Sequence, residues 1–196
     1  MARSRITDTG RKDLITDAGS VLFSFVKGEQ LEFPVTLNFL EDATAGYTYE
    51  AVVVEAQNLF GQTGKPTTVL AGGVQTVIPV RVPTNRGTWD AVQAYNTAEV
   101  VSHSGIVYQL VAGAAVVNAV TPDLDPNWTV TTLNKIHLQF PTNLADTYAI
   151  SASVNSPIYG FFELRVTEPN TSVYRRTWKP IRGMIEILFS PTDIVP

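Results

Sequence analysis

The residue types that could do chemistry are few in this 196-residue chain, and they are scattered. There are two histidines, His103 in the run SHSG and His137 in IHLQF. General acid–base work needs an imidazole oriented by a carboxylate and aimed at a nucleophile, and neither histidine stands in a recognisable motif of that kind. His103 reads as a solvent-facing turn residue and His137 as a sheet-surface residue. The chain has no cysteine, which removes thiol nucleophiles, cysteine metal sites and disulfides together. Asp123 and Asp125 in TPDLDPNW offer oxygen ligands of the kind calcium takes. The further acidic positions and the glycine of a calcium loop are missing, and a proline-rich turn closed by Asx hydrogen bonds is the stronger reading. Gly72-Gly73 is followed by no Lys-Ser/Thr pair, so no phosphate-cradling loop is expected. The expectation is therefore no catalytic residue, no metal and no cofactor: a protein that binds, not an enzyme.

Chemistry suited to binding is better represented. Trp89, Tyr95, Tyr108 and Trp128 are spread along the weakly charged stretch 87–128. Such rings either clamp a core or lie exposed and stack on a sugar or on another protein. Core is favoured for Tyr95 and Tyr108. Both readings stand for Trp89 and Trp128, the candidate glycan or protein contacts. A second patch, Tyr174, Arg175, Arg176, Trp178 and Lys179, is the densest basic and aromatic run. Strand alternation would send its side chains to opposite faces, which fits a protein contact better than a nucleic-acid groove. Near the start, Arg3, Arg5, Arg11 and Lys12 are diluted by Asp8 and Asp13. Arg3, Arg5, Arg175, Arg176 and Trp178 are the candidate assembly contacts.

The elements that must carry these residues read as short strands. LEFPVTLNFL (31–40) alternates, with Leu31, Phe33, Val35, Leu37 and Phe39 on one face. Pro34 within it lacks a ladder N–H and points to an edge, a bulge or an outward position. VLFSFV (21–26), YTYEAVVVEA (47–56), VQTVIPVRV (74–82), IHLQF (136–140), YGFFELRVT (159–167), 173–178 and GMIEILF (183–189) also read as strands. Residues 143–156 would hold a helical turn or a weak strand. Gly105 between 99–101 and 106–110 marks a hairpin inside the aromatic stretch.

Seven to nine short strands at this spacing fit an antiparallel sandwich. The flanks are alike in texture and neither closes a sandwich alone. The expected organisation is an N-terminal arm (1–19), a discontinuous β-sandwich (20–84 and 132–196) and an inserted unit (85–131), since loop tips tolerate insertion. The arm would be frayed or ordered against a neighbour.

The order Trp89, Tyr95, Val101, Gly105, Tyr108, Trp128 resembles the small chitin-binding type of carbohydrate-binding module, a three-stranded β unit also present in tail and fibre proteins of bacterial viruses. In that pattern a turn ending in Gly-Asp precedes a valine pair; here it reads Ala98-Glu99-Val100-Val101. Chitin-binding members present rings shortly after the second tyrosine, whereas Gln109-Leu110-Val111-Ala112-Gly113 has none, which implies that the glycan platform is missing. The flanks, with GEQLEFPVTLNFLEDATAGYTYEAVVVEA, YGFFELRVTEP and PIRGMIEILFSP, resemble immunoglobulin-like domains of phage particle proteins. Together these resemblances imply an all-β fold, an immunoglobulin-like antiparallel sandwich interrupted by a small three-stranded β module. They imply a structural protein of a tailed phage, assembled in the host cytoplasm, on the virion exterior as a tail or fibre-attachment component or a capsid decoration protein. The partners would be other virion proteins and further copies of itself. The rival reading is a carbohydrate-binding protein recognising a host-surface or polysaccharide glycan.

Composition narrows the partners. Hydrophobic residues make up 44% and charged ones 16%, the balance of a folded chain with a weakly charged surface. A net charge of -4 argues against general affinity for nucleic acid or anionic membrane. The first residues contain no apolar run of the secretory type, so the sequon matches at Asn127 and Asn170 read as chance. The stretch 100–122, free of Asp, Glu, Lys and Arg, is too polar for a membrane helix.

Overall fold

The computed structural model describes residues 4–7, 14–15, 19–28, 30–56, 69–111, 116–117, 120–144, 158–169 and 175–188. Among them every regular element is a strand. The chain divides into two compact units, one made of Met1–Val35, Tyr47–Arg81 and His137–Pro196, the other of Thr36–Gly46 and Val82–Ile136.

In the first unit the strongest alternation makes the longest regular ladder. β15 (Ile158–Thr167) buries Ile158, Gly160, Phe162, Leu164 and Val166 and turns the alternate residues outward. A slip of one residue would expose that whole row, so the pattern fixes the register. β5 (Thr48–Glu55) and β16 (Thr177–Leu188) flank β15 and run antiparallel to it. β6 (Gln75–Ile78) continues the sheet antiparallel beyond β5. On the other side β3 (Gly19–Val26) lies parallel to β16, and β1 (Ser4–Thr7) lies parallel to β3. The sheet is therefore mixed rather than antiparallel throughout. Sequence texture carries no information on strand direction, and β3 and β16 lie far enough apart in the chain for either direction to close.

A second sheet orders β2 (Leu14–Ile15), β4 (Leu31–Thr36), β14 (Lys135–Phe140) and β7 (Val80–Arg81). Phe23 and Phe162 of the first sheet meet Phe33 and Phe140 of the second. Their ring centroids lie 5.1 Å apart for Phe23–Phe33, 5.3 Å for Phe23–Phe140 and 5.8 Å for Phe140–Phe162. Phe23 and Phe140 are fully buried, as are Leu138, Leu164, Ile181, Ile185 and Ile187 of the same unit. Burying each such side chain is worth about 1.5–3 kcal/mol, which makes this face the main energetic reason the two sheets stay together.

Prolines decide three local departures from the sequence pattern or explain why it survives. VQTVIPVRV is not one strand. Pro79 divides it into β6 in the first sheet and β7 in the second, because the ring removes the N–H that a continuing ladder would need. Conversely 177–188 is one strand where a break near Pro180 is expected. Leu164 faces Ile181 but Val166 faces Trp178, so an extra residue on β16 forms a bulge that accommodates Pro180. Pro34 stays within β4. Alternation in β4 holds through Val35 and Leu37 and then fails. A turn with Leu40 N–H bonded to the Leu37 carbonyl (2.9 Å) puts Leu40 inside and leaves Phe39 40% exposed. The expectations for residues 145–157, for Val173 and Tyr174 and for Phe189 lie outside the described residues.

In the second unit β8 (Asn85–Thr88), β10 (Val100–His103), β11 (Ile106–Leu110) and β13 (Trp128–Thr131) form a sheet of order β13-β11-β10-β8. β9 (Ala94–Tyr95) pairs with β12 (Val116–Val117) in a short ladder. The expected hairpin is β10 and β11, and β13 pairs antiparallel with β11, so the sheet has four strands where a three-stranded unit is expected. β8 is added parallel to β10, and its sequence NRGT, exposed at every position, gave no apolar signal for it. Leu37 N–H to Asn134 C=O (2.9 Å) and Ala43 N–H to Leu133 C=O (2.8 Å) clip residues 36–46 onto this unit, with Leu37 and Ala43 buried.

Candidate functional site

The aromatic stretch is positioned by its central hairpin. β10 and β11 pair His103 with Ile106 across the two-residue turn Ser104-Gly105, whose φ values of 50° and 78° are both left-handed. Two left-handed residues match the twist of the strands they join, and a glycine at the second removes the steric cost there. The register that follows sets Val101 beside Tyr108 and Leu110 beside Trp128.

Those pairs build the core of the unit. Tyr95, Val101, Tyr108, Leu110 and Trp128 pack together, and Trp89 lies against them half-buried. Tyr95 and Trp128 meet edge to face, 5.4 Å between centroids and 79° between planes, a geometry worth about 0.5–1.5 kcal/mol beyond burial. The Tyr95 hydroxyl accepts from the Asp90 N–H at 2.7 Å and lies 3.3 Å from the Asp90 carbonyl, to which it donates. The ring thus fills the core while its oxygen ties down the loop after Trp89. Trp128 is held by its N–H to the Asp125 carbonyl (3.1 Å), and Asp125 Oδ1 accepts from both the backbone and the side-chain amide of Asn127 at 2.9 Å. Asp125 is buried in this Asx turn.

The bend before β10 is strained. Ala98 adopts a φ of 72°, in the region that favours glycine, while its N–H bonds the Leu110 carbonyl at 2.7 Å. Glu99 is buried and its Oε2 accepts from the Asn96 N–H at 2.9 Å, with Arg86 Nε 3.7 Å from the same oxygen. A carboxylate at this position closes the turn.

His103 is less exposed than its turn suggests. Its ring meets Trp89 edge-on at 5.4 Å, and its Nε2 lies 3.6 Å from Asp123 Oδ1. A hydrogen bond from Thr121, more than His103, holds the Asp123 carboxyl below the usual range. The Trp89 indole N–H is buried and meets no acceptor. His137, in the other unit, has its Nδ1 2.8 Å from Glu32 Oε1. The two imidazoles thus fall in different units, each beside one carboxylate. Among the described residues no group of three or more His, Asp or Glu side chains gathers as a metal site would require.

The remaining candidate residues do not converge. Arg3 lies outside the described residues, and Arg5 sits in β1 opposite Leu22. Arg175 and Arg176 are exposed just before β16, where Arg176 N–H bonds Glu168 Oε2 at 3.0 Å. Trp178 is half-buried, 6.2 Å from the Tyr47 ring. Lys179 points to the opposite face and reaches Glu163 Oε1 at 3.1 Å.

That face carries residues sequence reasoning missed. Glu163 is a hub, with Arg165 Nε at 2.6 Å, Lys179 Nζ at 3.1 Å and Arg182 Nε at 3.1 Å, while Arg165 also reaches Glu50 at 3.3 Å. Burial works against the Glu163 charge, but its bonds from Arg165 and Lys179 prevail and hold its carboxyl below the ordinary range. Two rows away, Glu186 accepts from Ser24 Oγ (3.3 Å) and from the Tyr159 hydroxyl (3.0 Å), in register across three strands. Burial, with the Glu186 charge, pushes the Tyr159 phenol up to about 12. Apart from Arg165, the partners of Glu163 come from a different strand. A shallow groove of about 450 Å³ lies here, lined among others by Val52, Val54, Phe161, Glu163, Arg165 and Arg182.

The chain matches no protein-family model and no curated protein sequence. The fold and these geometries establish an all-β protein of several small sheets.

Proposed function

We propose that this chain is a virion structural protein of a tailed bacteriophage, exposed on the particle as a tail or fibre-attachment component or a capsid decoration protein. It acts by protein–protein binding, its partners being other virion proteins and further copies of itself. The carrying observation is the fate of the rings in the unit that resembles a chitin-binding module. Tyr95, Tyr108 and Trp128 are 2%, 6% and 7% exposed, so they are spent on the unit's own core and leave no flat platform for a sugar. Ala98 supports the resemblance itself: it sits at a left-handed φ where the resembled pattern has glycine, followed by a carboxylate that closes the turn. The finer fold reading, an immunoglobulin-like sandwich in the flanks, draws support from the Phe23, Phe33, Phe140 and Phe162 cluster between two sheets.

The test is peptide mass spectrometry of purified particles from the virus encoding the chain, with antibody labelling under the electron microscope. The expected result is regular label on the exterior, and absence from particles would sink the proposal. Carbohydrate binding, the second reading, rests on half-buried Trp89, the aromatic of the stretch that is not enclosed. Retention on insoluble chitin that disappears in Trp89→Ala, with circular dichroism unchanged, would transfer the function to that reading.

A further inference from the structure

Among the described residues, the second unit ends its sheet on an edge that lacks the usual protection. β13 is outermost in the order β13-β11-β10-β8, and its sequence is Trp128-Thr129-Val130-Thr131. Natural edge strands are blunted by charge, proline, glycine bulges or brevity, because an unpaired row of N–H and C=O groups recruits other strands. Among the described edges, β1 and β8 carry Arg5 and Arg86, β6 runs directly into Pro79, and β2, β7, β9 and β12 are two residues long. β13 has no charge and no proline, and residues 126–134, PNWTVTTLN, carry no charge either.

The ladder says which groups are free. Val111 N–H bonds the Asn127 carbonyl, and Gln109 faces Thr129 while Val107 faces Thr131. Alternation therefore turns the N–H and C=O of Thr129 and Thr131 toward β11 and those of Val130 toward the open edge. The Val130 side chain is itself 63% exposed.

We infer that β13 is a self-association edge whose occupant is β13 of a second copy, paired antiparallel about a two-fold axis through Val130. The sequence is self-complementary about that point. Val130 faces Val130 of the other copy, Thr129 faces Thr131 on both sides, and no like charges meet. The two Val130 residues exchange both backbone hydrogen bonds, and two four-stranded sheets become one of eight. The contact is short, so its natural setting is an assembly that already brings copies close. The inference deepens the assembly reading above and rests on it in that respect.

The chain has no cysteine, which makes the test clean. In the paired geometry the two Val130 Cα atoms lie about 5.5 Å apart, within disulfide reach. V130C under mild oxidation is expected to give a covalent dimer far faster than V92C, whose parent residue is 79% exposed in a turn. By sedimentation equilibrium the unmodified protein is expected to dimerise with rising concentration, and V130K to weaken that roughly tenfold or more, because two lysines would face each other. Equal cross-linking of V130C and V92C, a dimer indifferent to V130K, or a monomer at every concentration would each overturn the edge. Those outcomes leave particle labelling untouched, so failure of the edge and failure of the virion reading are separable.

Discussion

The two units solve the same burial problem with different rings. The first stacks Phe23, Phe33, Phe140 and Phe162 between two sheets, all carbon, with Phe33 and Phe140 at 5.6 Å. The second uses Tyr95, Tyr108, Trp89 and Trp128, each with a polar atom, around a four-stranded sheet and the short β9–β12 ladder. A wide interface between sheets buries enough area to need no polar handle. A small unit has too little interior for that, so Tyr95 serves twice, its ring filling the core and its oxygen tethering the loop at Asp90.

The largest test of this contrast is Phe140→Ala against Trp128→Ala, read by urea unfolding. Phe140→Ala is expected to cost about 3–5 kcal/mol, with Trp128→Ala at the lower end of that range because its site lies near the surface and can collapse. Equal losses would mean that the small unit packs as tightly as the large one. Next comes Tyr95→Phe, which keeps the ring and removes only the tether to Asp90. A loss of about 0.5–1.5 kcal/mol is expected, and none at all would sink the double role. Ala98→Gly should act in the opposite direction, raising stability by roughly 1 kcal/mol through relief of the left-handed backbone. A loss on thermal unfolding would mean that the alanine methyl packs usefully.

The smallest effect concerns Tyr159. Its folded pKa of about 12 lies above the unfolded value near 10, so the neutral phenol is favoured by folding. Its contribution to stability is complete below pH 10 and is lost as pH rises from there through 12. Tyr159→Phe should flatten that part of the alkaline stability curve relative to the unmodified protein. Identical curves would show that the bond to Glu186 does not stabilise the fold.

Much of the fold was legible because burial writes a period of two into the chain. Leu31, Phe33 and Val35 were assigned to one face, and Tyr95 and Tyr108 to the core, from the sequence, and they are buried. The hairpin at Ser104-Gly105 was legible too, since glycine between two apolar runs has a local steric meaning. The Glu163 hub was not legible. Arg165 is two residues away but Lys179 and Arg182 arrive on a different strand, and pairing across strands leaves no mark at either position. Nor was the strand β8, whose residues are all exposed and thus carry no hydrophobic period.

By itself the sequence determined the class of the protein. Alternation and β-branched residues made strands, and the lack of cysteine excluded thiol chemistry. Only the tertiary structure decided which strands are neighbours, that β3 runs parallel to β16, that Trp128 faces inward, and that Val130 ends on an open edge. The division has a physical cause. Steric and hydrophobic preferences act within a few residues of the chain, whereas pairing, direction and exposure are settled by contacts between segments far apart along it.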